Sequence, residues 1–269
     1  MCGAFVGLSD DVETLYYNPG GLGELKKTNV IAMYQPPSLE TSRSFAAFSH
    51  AWEHPTLPGS FALGWLRMRS ADIEITNANE QILGSDNLTN DLVMFGVGVK
   101  PFEHYSVGVM VKYLRFNFHG FSEQGIGMDA GFHGSYDWFQ FGLNWSDLNG
   151  TTVQGNSIGP DGGSVSDRVP SRLRPGVAFI WRNPLGLPLK LNTLVDGLIQ
   201  VDGPANAESY SGMELWGYDE HVAVRVGFQQ AVGPTFGAGV RWGCLQIDYA
   251  YQMSLALLDE QRISTSFHF

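Results

Sequence analysis

At 269 residues, with only 16% of them charged and a formal charge of −11, the chain is large enough for one barrel or two small domains. It is poorly charged for a soluble surface, where ~25% is usual, and its acidic balance argues against a nucleic-acid partner. No stretch approaches the ~18 uninterrupted apolar residues of a membrane helix, which leaves strands of ~9 to 11 residues as the means of crossing a bilayer.

Residues 1–27 form a segment of their own, Gly-rich at the start and carrying the turn signal Asn18-Pro19-Gly20-Gly21. One short helix near Asp10 to Leu15 is expected. Leu15, Tyr16, Tyr17 and Leu22 are apolar enough to need covering, either as an arm packed on a core or as a plug inside a barrel. Cys2 and the distant Cys244 make neither a disulfide framework nor a metal site; free thiols are expected, with a single bridge left open.

Fourteen strands follow, near 28–38, 43–53, 59–70, 89–101, 105–118, 125–136, 139–149, 172–182, 189–200, 210–218, 221–230, 235–243, 245–254 and 262–269. Period two carries the assignment. Val93, Phe95, Val97 and Val99 alternate with Met94, Gly96, Gly98 and Lys100. Val107, Val109, Val111 and Tyr113 alternate with Ser106, Gly108, Met110 and Lys112. The same alternation runs through Phe139 to Ser146, Gly176 to Arg182 and Val222 to Gln229. The last strand ends the chain in mid-pattern, with Ile263, Thr265, Phe267 and Phe269 on one side. In a soluble sandwich that terminal strand would leave an open ladder and an exposed apolar face. A cylinder closing on the strand near residue 30, oily side outward, removes both problems.

The connections support closure. Those at 71–88, 150–171, 201–209 and 255–261 are long, and those at 54–58, 102–104, 137–138, 183–188, 219–220 and Gly243-Cys244 are short. Long and short alternate, so they fall on opposite rims as in outer-membrane barrels. The short connections at 39–42, 119–124 and 231–234 make this a tendency. Tyr105, Tyr136, Trp138, Trp145, Trp181, Trp242 and Tyr251 lie at strand ends, where an aromatic belt meets headgroups. Ordinary β-propensity accounts for part of that placement.

Gly3-Ala4-Phe5-Val6-Gly7-Leu8-Ser9-Asp10-Asp11, followed by Leu15-Tyr16-Tyr17-Asn18-Pro19-Gly20-Gly21-Leu22, resembles the opening of the PorV/PorQ branch of the FadL-like outer-membrane long-chain fatty-acid transporter superfamily. There an Asn-Pro-Ala-Gly-Leu element is usual, so Gly20 stands in the alanine position. Pro170 to Val177, Gly127 to Gly131 and the terminal Phe269, similar to the family's barrel-assembly signal, extend the resemblance over the chain. It implies an all-β, 14-stranded antiparallel transmembrane barrel (28–269) with an N-terminal hatch (1–27) in the lumen. It also implies the bacterial outer membrane, with lipid and lipopolysaccharide around the barrel and the barrel-assembly machinery as partner. Met1-Cys2-Gly3-Ala4 begins without a signal peptide; for an exported barrel, a leader missing from the given chain is expected.

The hatch set is then Asp10, Asp11, Leu15, Tyr16, Tyr17, Asn18, Pro19, Gly20, Gly21 and Leu22. The expected lumen-lining set is Met94, Lys100, Met110, Lys112, Asp129, Arg172, Arg174, Arg225, Arg241 and Asp248. Met94, Met110, Leu66 and Ile180 suit an apolar route or, preferably, packing against Leu15, Tyr16 and Tyr17. The inward cations are expected to pair with Asp129, Asp196, Asp248 and the hatch acids Asp10, Asp11 and Glu13, so that losing Arg225 or Arg241 would loosen the hatch. An anionic headgroup on one arginine is the alternative.

No nucleophile elbow or zinc motif occurs, the histidines are scattered, and Asp10-Asp11 with Glu13 lacks calcium-loop spacing. No enzyme, cofactor or metal is expected. Two functions remain: a channel or transporter for hydrophobic or amphipathic small molecules, or a non-enzymatic scaffold or shuttle component of a type IX-like secretion or surface-attachment complex. The first implies an open lumen and a hydrophobic ligand. The second implies a sealed lumen, secretion-complex partners and an apolar patch on the loops 71–88 and 150–171.

Overall fold

The computed structural model describes residues 2–38, 40–77, 79–148, 150–156, 164–203, 206–255 and 258–269. A short helix, α1 (Thr14–Tyr17), and a 3-10 turn (Pro19–Glu24) precede the strands. These are β1 (Asn29–Ser38), β2 (Thr41–Trp52), β3 (Gly59–Thr76), β4 (Ile82–Phe102), β5 (Tyr105–Phe118), β6 (Phe121–Ser135), β7 (Phe139–Ser146), β8 (Thr151–Asn156) and β9 (Ser164–Val169). Then come β10 (Arg172–Arg182), β11 (Lys190–Gln200), β12 (Ala207–Gly217), β13 (Val222–Gln229), β14 (Gly233–Trp242), β15 (Leu245–Gln252) and β16 (Glu260–His268).

All pairings are antiparallel and run between sequence neighbours except that β7 joins β10, β6 also meets β8, and β16 closes on β1 through Asn29↔His268 to Tyr34↔Ile263. The wall therefore has fourteen strands, β1–β7 and β10–β16, each at a position that the alternation predicts. Phe269 completes the seam by donating its N–H to the Thr28 carbonyl at 2.9 Å. Closure removes the free edges. The outward rows of Val, Leu, Phe and Trp, among them Leu63, Phe95, Val109, Val224 and Val240, stay exposed because hydrocarbon, not protein, covers them. The barrel is built to span a membrane.

The long-loop rim differs from expectation. Residues 71–88 are largely strand: β3 and β4 run 18 and 21 residues as one hairpin, well past the membrane requirement, with a register shift between Ser70 and Ile73. The β-branched Ile73, Ile75, Thr76 and Ile82 favour continued pairing beyond the bilayer. The region 150–171 holds the β8–β9 hairpin, which joins the wall through β6 at Glu123 to Gly125. Residues 157–163 of its Gly/Ser/Asp-rich stretch lie outside the described residues. The connection expected at 119–124 shrinks to His119-Gly120, both at positive φ (47° and 77°), the left-handed pair that a tight hairpin needs. The helix expected at Asp10 to Leu15 starts only at Thr14, because Asp11 accepts the Glu13 N–H at 2.7 Å and turns the chain first.

Candidate functional site

Residues of the N-terminal segment from Ala4 to Leu25 pack against inward-facing positions of the wall, and the two sides of this segment are unlike. On one side Leu15 and Leu22, both fully buried, pack against Phe45, Ala47, Ala62, Met94 and Met110 of β2–β5, and Ala4, Phe5 and Leu8 pack against Ala178, Ile180 and Leu194 of β10 and β11. The wall there is lined with glycine at inward positions, which lets backbone lie on backbone. A Cβ on Gly108 would sit 2.0 Å from the Pro19 carbonyl oxygen, and one on Gly131 2.2 Å from Asn18 Oδ1. The same reasoning accounts for Gly20 where the resembled family has alanine: its Cβ would lie 2.7 Å from the backbone of Gly131 and Phe132.

Polar contacts fix this seat. The wholly buried Asn18 donates through Nδ2 to the carbonyls of Val6 and Phe132, both at 3.1 Å, and its Oδ1 accepts the Gly20 N–H at 3.1 Å. It thus ties the two arms of the hatch to each other and to β6, and starts the 3-10 turn before Pro19. Asp196 accepts the N–H groups of Phe5 (2.9 Å) and Val6 (3.0 Å). His133 Nε2 donates to the Gly7 carbonyl (3.0 Å), Ser60 to that of Leu22 (2.6 Å) and Arg174 to that of Gly3 (2.6 Å). Lys100 pairs with Glu24 at 2.6 Å.

On the other side a cavity of about 750 Å³ runs between the hatch and strands β12–β16 and β1. Its lining reaches from Lys190, Gly243 and His268 at the short-turn rim to Gln229, Gln252 and Glu260 at the long-loop ends of their strands. The wall side is cationic. Arg225 is held by Glu214 (2.6 Å) and Asp248 (2.5 Å), while Trp216 lies under the guanidiniums of both Arg225 (5.3 Å) and Arg241 (4.4 Å). Arg174 stands between Tyr17 (5.5 Å) and Tyr210 (4.1 Å). The hatch side is anionic: Asp10, Asp11 and Glu13 line the cavity. They are wetted by it yet ringed by barrel, and this enclosure raises the pKa of all three; next in order come repulsion from Glu214 on Asp10, from each other on Asp11, and from Asp248 on Glu13.

The expected hatch-to-wall ion pairs are therefore corrected. Among the described residues no cation lies within 4.0 Å of Asp10, Asp11 or Glu13; Arg225 and Asp248 pair within the wall, Arg241 approaches Glu220 at 3.8 Å, and it is Glu24 that bridges hatch and wall. The lumen-lining set divides too. Arg174, Arg225, Arg241 and Asp248 face the cavity, as do Tyr16 and Tyr17, whereas Met94 and Met110 pack on Leu15 and Leu22. Arg172 is exposed at the rim. Lys112 and Asp129 pair at 2.7 Å in a buried knot with Asp147 (3.0 Å from Lys112) and Thr151, where the chain leaves β7. Asp147 there has φ 54° and takes the ladder out of register before β8 rejoins β6.

Glu24, Asp147, Glu214 and Trp216 carry much of this geometry, and sequence reasoning passed over them. Glu214 and Trp216 were legible as inward positions alternating with Met213 and Leu215. Cys2 and Cys244 are free thiols. Among the described residues no group of three or more His, Cys, Asp or Glu is arranged to hold a metal.

No family model matches the chain, and no curated protein matches it in sequence. Solved structures match in fold. The Pseudomonas putida toluene transporter TodX gives a TM-score of 0.64 at 10% identity, covering 100% of this chain and 96% of that one. The Ralstonia pickettii toluene transporter TbuX gives 0.60 at 13%, covering 100% and 96%. A Pseudomonas aeruginosa FadL homologue gives 0.60 at 11%, covering 99% and 95%. At such identities the likeness is one of fold, over nearly the whole length of each chain.

Proposed function

We propose that this protein is a non-catalytic outer-membrane channel that passes small amphipathic molecules along the wet side of its hatch. The carrying observation is the cavity beside the hatch, which follows β16 from Glu260 at one end to His268 at the other. At about 750 Å³ it falls within the ~300–1,000 Å³ typical of small-ligand sites. Ile31, Met33 and Tyr16 offer an apolar edge and the arginines a polar one, so a molecule with both kinds of surface is the better match. The fold shared with transporters of toluene supports an apolar component in what is carried. Reconstituted full-length protein should admit small amphipathic solutes into liposomes, and attaching a bulky reagent at the cavity wall should stop them. Vesicles no leakier than protein-free ones would refute the channel.

A second reading, the secretion-scaffold role implied by the PorV/PorQ-like N-terminal motif, draws on one observation. Ile82 and Leu83 at the tip of the β3–β4 hairpin are about two-thirds exposed (63% and 67%), an apolar tip beyond the membrane that suits a protein partner. Copurification in mild detergent with mass measurement separates the two readings: a protein bound through that tip favours the scaffold, small molecules in the lumen the channel.

A further inference from the structure

The fourteen wall strands place their cations almost entirely inward. Among the described residues, the only Lys or Arg side chains on outward wall positions are Arg67 and Arg69 of β3 and Arg115 of β5. All three lie on the two strands that flank β4, within two neighbouring rows. Arg67 registers with Asp91, and Asp91 with Arg115, directly above the row Trp65–Val93–Tyr113; Arg69 registers with Thr89, and Thr89 with Asn117, one row higher. The next row down is Leu63–Phe95–Val111. The cluster thus marks the line where the oily belt ends on the long-loop side.

Its chemistry is that of an unfilled anion site. Arg67 is spent on Asp91, with Nε at 2.8 Å and a terminal nitrogen at 2.9 Å, and lies over the Trp65 ring at 5.2 Å. Arg69 and Arg115 are aimed by neutral amides instead, donating to Asn87 Oδ1 and Asn117 Oδ1, both at 3.2 Å. Their positions are set and neither lies within 4.0 Å of a carboxylate among the described residues, although Arg115 stands in the field of Asp91, which Arg67 already pairs, in a chain whose formal charge is −11. Arginine with free fork donors beside hydrocarbon is the side chain that best receives a phosphate.

The height of the wall selects among phosphates. Above Arg69, β3 continues to Thr76, about 23 Å at ~3.3 Å per residue. That outward face mixes Asp72 and Glu74 of β3 with Ser122 and Gln124 of β6 and Asn87 and Thr89 of β4. A glycerophospholipid head would leave most of it bare, whereas a phosphorylated sugar head would lie along it. Among the described residues no outward strand cation marks the opposite rim, so the site belongs to one leaflet.

We propose that the Arg67–Arg69–Arg115 face binds the phosphorylated glucosamine head of an outer-leaflet glycolipid of the lipid A class, acyl chains lying on Leu63, Phe95 and Val111. This rests on the outer-membrane reading above. Full-length protein in detergent, titrated with bis-phosphorylated lipid A lacking O-antigen and followed by native mass spectrometry, should bind it. Arg69→Gln with Arg115→Gln should weaken binding at least about tenfold, a loss of ~1.4 kcal/mol, and Arg69→Lys with Arg115→Lys should recover part of it. Liposome permeation is measured on the same variants and should not change, which separates this site from the channel. Equal binding by the glutamine variant, by fully dephosphorylated lipid A, or by phosphatidylglycerol at the same affinity would overturn the assignment.

Discussion

The two halves of the lumen are made by the same wall and the same hatch, yet one is dry and the other wet. Along β3–β7 and β10–β11 many inward positions are glycine, alanine, methionine or serine, small or yielding, and the hatch backbone rests on them, while the polar residues among them, such as Asp196, His133 and Lys100, bond to the hatch. Along β12–β16 they are Glu214, Trp216, Arg225, Arg241, Gln246 and Asp248, long polar side chains that satisfy one another and hold the hatch off. Side-chain length at alternate positions thus sets where the hatch seats on the wall and where a cavity is left beside it.

Asn18→Asp should disturb the dry side most. It turns a donor facing two carbonyls into a carboxylate and leaves buried groups unsatisfied, each costing ~1–3 kcal/mol. Hydrogen exchange over Val6 to Leu25 should rise steeply while the strand amides keep their protection. Gly20→Ala comes next: the methyl group has only backbone to move, an overpacking cost of ~1–3 kcal/mol, seen as faster proteolysis of the hatch in the intact barrel.

A smaller effect separates the halves by pH. Asp10, Asp11 and Glu13 have raised pKa values when the hatch is seated, so the seated form binds more protons than the released one. The seat is therefore firmest below the ordinary carboxylate range and loosens as pH rises through the raised values. Protection factors over the hatch, corrected for the intrinsic pH dependence of amide exchange, should rise on acidification from neutrality, and Asp11→Asn should flatten that dependence. Smallest of all should be the effect of Arg225→Gln on the hatch, because Arg225 is bound to Glu214 and Asp248 on the wall and not to hatch acids. Ion selectivity should shift with no change in hatch protection; a loosened hatch would restore the pairing expected from sequence.

The wall was legible because a period of two repeated over fourteen strands is a strong signal, and closure followed from a terminal strand that could not be left bare. The long β3–β4 hairpin and the β8–β9 hairpin were not, since strands in water lose the oily alternation that marks strands in lipid. Within the site, alternation placed Arg174, Arg225, Arg241 and Asp248 inward, but which carboxylate each arginine meets depends on register between strands, information that a single strand does not hold. The inward glycines at 96, 98, 108 and 131 stood in the sequence as the counterpart of a packed hatch. Their meaning emerges only when Asn18, Pro19 and Gly23 lie against them.

Thiol accessibility tests the division of the lumen most directly. With Cys2 and Cys244 replaced by serine, Ser264→Cys on the cavity wall and Ser106→Cys, fully buried under Gly23, are exposed to a small charged thiosulfonate in reconstituted protein. Rapid modification at position 264 with loss of permeation, and none at 106, is the expected result. Equal reactivity at the two positions, or permeation that survives full modification at 264, would contradict a passage on the β12–β16 side.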